Sequence, residues 1–133
     1  MEAAAIGTPA ICLDLEADRL APAHARHAFD NLNHGIGGEL LARLKLLASE
    51  LVTNSVLHAG LARQDRIALI VDVAPRSVRV EVHDPGRGFI PPEAPGGLEE
   101  DHGRGLLLVH ALSDRWGVTG GRSARVWFEI DRV

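Results

Sequence analysis

Three groups of residues in this 133-residue chain are of types and spacings that do chemistry. The first lies in SELVTNSVLHAG, where Glu50, Asn54 and His58 recur every fourth residue. A helix turns by about 100° per residue, so these side chains rise in one line along one face. Leu46 and Leu57 flank that line on one side and Leu47 and Leu51 on the other, inside the helix's apolar sector. A buried polar group without a partner costs a few kcal/mol, and a lone carboxylate costs more. The partners come either from a buried hydrogen-bond network or from a ligand or metal in a cavity that this face lines. The second group is DPGRG, with Asp84 at the end of a strand pattern. The third is HGRGL, with Gly103 and Gly105 opening a helix pattern. A helix N-terminus offers free N–H groups and a positive dipole end, which suits phosphate. Glycines let backbone approach the oxygens closely, and Arg104 could add a charge-assisted contact. Taken singly, either glycine pair could equally be an ordinary turn.

The elements that must position these groups follow from periodicity. Residues 39 to 59 read as one long helix, with Leu40, Leu44, Leu47, Ala48 and Leu51 at helical spacing and Gly60 as its stop. Residues 10 to 15 read as a short strand. Residues 18 to 33 read as a helix with a stripe of Leu20, Ala23, His27, Phe29 and Leu32, broken by HGIGG. Residues 66 to 74 and 77 to 84 read as a hairpin, and the second strand alternates Val78, Val80 and Val82 against Arg79, Glu81 and His83. Residues 85 to 105 hold six glycines and four prolines, a loop long enough to be functional or disordered. A helix over 104 to 113 and two strands, RWGVTG and ARVWFEI, close the chain. Hairpins dominate, so the expected fold is α+β: a two-layer sandwich with a mixed, mostly antiparallel sheet and helices on one face.

Composition narrows the function. The length suits one domain over residues 1 to 133, and 46% apolar residues argue against disorder. The net charge of −4 and the lack of a basic run make direct nucleic-acid binding a poor expectation. Cys12 stands alone and fits a reducing cytoplasm. The first ten residues do not read as a signal peptide, and no apolar run approaches the roughly 18 residues of a membrane span. There is no GxxxxGK[ST], no dinucleotide fingerprint and no HExxH. His24 and His27, one turn apart, read as a solvated helix face rather than a metal site.

In combination, the three groups resemble a known family. ASELVTNSVLHAG, VEVHDPGRGF, DHGRGLLLVHALSDRWGV and the terminal VWFEI are similar to stretches of the GHKL ATPase superfamily, which takes its name from gyrase, the heat-shock chaperone, histidine kinases and the mismatch-repair protein. Within it the chain most resembles the bacterial anti-sigma-factor serine/threonine kinases. The resemblance runs from about residue 40 to the end and implies ATP and Mg²⁺ as ligands. By that likeness Asn54 coordinates Mg²⁺, a cation that takes few protein ligands. Glu50 matches the general base, one helical turn away. Asp84 matches the adenine reader: a carboxylate accepts from the exocyclic amine of adenine and repels the carbonyl oxygen of guanine. Gly86 and Gly88 match the turn beneath the base. Gly103, Arg104, Gly105 and Leu106 match the phosphate-side loop, and residues 89 to 102 match a lid. His58 reads as a structural support for the pocket.

The chain departs from the family at the last strand. Relatives often carry a threonine near its start, beside the adenine; here Arg125 takes the corresponding place, with Ser123 two residues earlier as a substitute. No helical hairpin with a phosphoacceptor histidine is present, so the chain does not read as a complete sensor kinase. The resemblance implies a cytoplasmic kinase with two partners, a sigma factor and a small anti-sigma-factor antagonist protein that it phosphorylates. A homodimer is also implied. The alternatives are an ATP-binding regulatory module without turnover and a free-standing histidine kinase catalytic domain.

Overall fold

The computed structural model describes residues 8–32, 35–58, 64–86, 103–119 and 123–132. In chain order the elements are β1 (Ile11–Glu16), α1 (Ala21–Ala28), α2 (Gly38–His58), β2 (Arg66–Val73), β3 (Ser77–Asp84), α3 (Gly103–Leu112), β4 (Arg115–Thr119) and β5 (Ala124–Asp131). The strands form one sheet in the order β1-β2-β3-β5-β4. Every neighbouring pair is antiparallel, so the sheet is not mixed. The expected two-layer α+β sandwich is present, with a wholly antiparallel sheet.

Alternation in the strands decides which face the helices cover. Val78, Val80 and Val82 are buried, as are Ile67, Leu69 and Val71 beside them and Val126, Phe128 and Ile130 on β5. These residues pair across the ladders Val71↔Val80↔Phe128 and Leu69↔Val82↔Val126, so they share one face. Leu44, Leu47, Ala48, Leu51 and Val52 of α2 and Leu106 and Val109 of α3 complete the same core. The helical stripe read from the sequence for α2 is therefore the buried stripe.

The first helix is shorter than its pattern suggests, and its buried face is different. It starts at Ala21, with Pro22 in the first turn, where a missing N–H costs nothing. Asp18 Oδ1 accepts from the Leu20 N–H at 2.9 Å just before it. The buried residues are Ala21, Ala25 and Phe29, spaced by four, while Leu20 is 51% exposed. Of the expected stripe of Leu20, Ala23, His27, Phe29 and Leu32, Phe29 is buried and Leu32 packs against the core, whereas Leu20 and His27 are exposed because Ala21 and Ala25 take the inward positions. His24 and His27 are exposed, and His27 pairs with Asp30 at 3.0 Å. Lys45 of α2 also reaches Asp30 at 2.7 Å, and these hydrogen bonds, from Lys45 first and then His27, hold the Asp30 carboxyl below its usual range. Among the described residues no helix is long and apolar enough to cross a membrane, and no cluster of three His, Cys, Asp or Glu could hold a metal.

Candidate functional site

The site is built where α2 passes the end of β3. Asp84 is the last residue of that strand and takes the fourth inward position after Val78, Val80 and Val82. Strand parity thus turns a carboxylate into the core side of the sheet, where it is only 5% exposed. Two donors hold it. Ser55 of α2 donates its hydroxyl to Oδ2 at 2.7 Å, and the Gly86 N–H donates to Oδ1 at 2.8 Å. Each carboxylate oxygen has a second lone pair to offer, so the group can still accept from a ligand.

Glu50 and Asn54 are half-buried rather than enclosed. Their apolar flank is real on one side, where Leu47 and Leu51 are buried. On the other side the expectation fails: Leu46 is 38% and Leu57 67% exposed. The polar line therefore runs along the margin of the buried sector and borders open space. The Nδ2 atom of Asn54 is buried with no hydrogen-bond partner among the described residues. Such an atom costs free energy unless something completes it. A half-turn about the last side-chain bond exchanges the amide's nitrogen and oxygen, so this end can meet either an acceptor or a cation. An unsatisfied amide one turn from a carboxylate fits a Mg²⁺-bearing phosphate ligand.

Gly103, Arg104 and Gly105 form the first turn of α3, so the glycine pair does open a helix. Leu106 follows with its side chain fully buried in the core, which leaves only its backbone for a phosphate. Gly86 is buried, and its N–H is committed to Asp84. Gly88, the lid over residues 89 to 102 and the side chains of His58 and Arg104 lie outside the described residues.

The register corrects the reading of the last strand. Arg125 pairs with His83 and Thr119, on the sheet face away from the helices, and is exposed. Ser123, one residue before β5, is exposed and lines a shallow hollow with Asp14, His83, Asp84 and Pro85. The residue opposite Asp84 on the inward face is Ala124. A one-residue offset in a strand exchanges faces, so Arg125 does not share the inward face of Asp84. Sequence reasoning also missed Ser55. Its signal was present: Ser55 continues the apolar stripe of Leu44, Leu47, Ala48, Leu51 and Val52, at a position where a hydroxyl must find a partner.

Comparison with known families agrees with this geometry. A family model described as a histidine kinase-like ATPase domain matches residues 15–129. The chain belongs to that family, and with it to the ATP-binding domains of the ATPase and kinase class. A search of curated proteins finds no match to the chain.

Proposed function

We propose that this chain is an ATP-dependent protein serine/threonine kinase of the anti-sigma-factor type. The observation that carries the reading is the pairing on α2: a half-buried Glu50 with no hydrogen bond to any described residue, one turn from an Asn54 amide whose buried end is unsatisfied. A binding module without chemistry has no need of a carboxylate there. In the kinase reading Asp84 accepts from the adenine amine, Asn54 would hold Mg²⁺, which would neutralise phosphate charge, and the first turn of α3 presents N–H groups to the phosphates. ATP supplies the γ-phosphoryl group. Glu50 accepts the proton of the attacking serine or threonine hydroxyl as the oxygen bonds to phosphorus and ADP leaves. The partners in this reading, a small antagonist protein as substrate, a sigma factor and a second copy of the chain, rest on the sequence resemblance to anti-sigma-factor kinases alone.

Two measurements test this. Calorimetric titration with ATP and GTP, with and without Mg²⁺, is expected to show Mg²⁺-dependent preference for ATP that collapses in Asp84→Asn. Incubation with labelled ATP and a candidate antagonist protein is expected to give phosphoserine or phosphothreonine. Glu50→Gln should retain ATP binding and lose transfer by about 10²–10⁴-fold. Unchanged function in Glu50→Gln would point to a regulatory module, and phosphohistidine on the partner to a histidine kinase domain.

A further inference from the structure

The hydroxyls of α2 behave in two ways. Ser49 donates to the Leu46 carbonyl at 2.9 Å and Thr53 to the Ser49 carbonyl at 2.8 Å. This back-bonding within the helix is the ordinary fate of a mid-helix hydroxyl. Ser55 has the same option and does not take it. It crosses to β3 and donates to Asp84 Oδ2 at 2.7 Å, with both residues only 5% exposed. A hydroxyl has one proton, and this one is spent on a carboxylate. The carboxylate held this way offers a ligand lone pairs only.

Resting on the nucleotide-site reading above, we infer that Ser55 is a positioning residue that sets base specificity. It clamps the Asp84 carboxylate from the helix side while the Gly86 N–H clamps it from the turn, so the accepting lone pairs are fixed before a base arrives. An exocyclic amine meets the fixed lone pairs of Asp84 and is taken; a carbonyl oxygen meets the same lone pairs and is refused. With alanine at 55 the carboxylate keeps only the Gly86 contact and must be oriented by the ligand itself, at the ligand's expense.

The test separates this role from plain structural support. ATP and purine riboside triphosphate differ only in the exocyclic amine, so a residue that acts through Asp84 affects one and spares the other. Calorimetry on the full chain with Mg²⁺ is expected to show that wild type prefers ATP. Ser55→Ala should weaken ATP about tenfold and leave purine riboside triphosphate within about twofold, which shrinks the preference by the same factor. Equal weakening of both ligands, or no weakening of either, overturns the inference. Wild type that binds neither ligand overturns the nucleotide-site reading itself and this inference with it. Wild type that binds both alike overturns the base-reading role of Asp84 and of Ser55. Thermal melts without ligand establish that the variants fold. Should the alanine variant fail to fold, Ser55→Cys, a near-isostere with a weaker donor, carries the same comparison with the same deciding outcomes.

Discussion

Two aspartates show how one residue type is put to different ends. Asp84 is buried and receives two hydrogen bonds, which make it a fixed acceptor. Asp72, at the second-last position of β2, lies half-buried on the opposite sheet face. It sits directly across from Arg79, yet Arg79 turns to Glu81 at 2.6 Å and Glu129 at 2.9 Å instead. Burial first, and then the nearby Glu81 charge, push the Asp72 carboxyl above its ordinary value, against a smaller pull from Arg79. A carboxyl whose folded value is raised destabilises the fold while it is ionised. Asp72→Asn is therefore expected to raise Tm at pH 7. The gain should shrink as the pH falls through the raised folded value and vanish below the unfolded value of 3.8. Thermal melts of both proteins across that range check it.

At the scale of elements, β4 and β5 make the edge hairpin of the sheet, and one contact fixes its packing. Gly117 pairs with Trp127, whose indole lies across the bare glycine backbone. A Cβ on Gly117 would stand 2.8 Å from Trp127 Nε1 and 2.9 Å from its Cζ2. The Arg79 guanidinium lies over the same ring at 4.2 Å from its centre, so the indole cannot retreat without losing a cation–π contact. Gly117→Ala is expected to cost about 1–3 kcal/mol, the range of an overpacked contact. Urea unfolding should show a lower midpoint with an unchanged slope. A strand glycine signals close approach by a neighbour, but sequence alone did not show that the neighbour is Trp127, ten residues later.

At the scale of the molecule, the helices cover one face of the sheet and a ladder of charge covers part of the other. Asp72, Arg79, Glu129 and Arg115 stand in register across four strands with alternating sign. Arg115 binds Glu129 and Asp131, each at 2.6 Å, and His83 adds a contact to Glu81 at 2.8 Å. Burial pushes the carboxyls of Glu81 and Glu129 up, but hydrogen bonds outweigh it and hold both below the ordinary 4.5: Arg79 and His83 act on Glu81, Arg115 and Arg79 on Glu129. A depressed folded value gives stability that is fully present above the unfolded value of 4.5 and is lost as the pH falls through the folded one. Arg79→Met removes the shared partner. It is expected to cost about 1–2 kcal/mol at neutral pH, a modest figure for half-screened pairs. It should also flatten the fall of Tm below pH 4.5, which melts of wild type and variant in acidic buffers would show.

The sequence by itself determined the order of elements, the alternation that turns Asp84 inward after three valines, and the helical line that places Asn54 one turn from Glu50. Those features are local: they follow from periods of about 3.6 and 2 residues and need no knowledge of what lies opposite. The tertiary structure decided what depends on neighbours. Whether Leu46 and Leu57 close over the polar line depends on what packs against α2, and they remain exposed. Whether residue 124 or 125 faces the site depends on strand register, which couples β5 to β3 across 40 residues of chain. The bond from Ser55 to Asp84 spans 29 residues and forms only because the helix layer is laid on that face of the sheet. A periodic pattern states which face a side chain occupies; only packing brings the second face that gives the residue its partner.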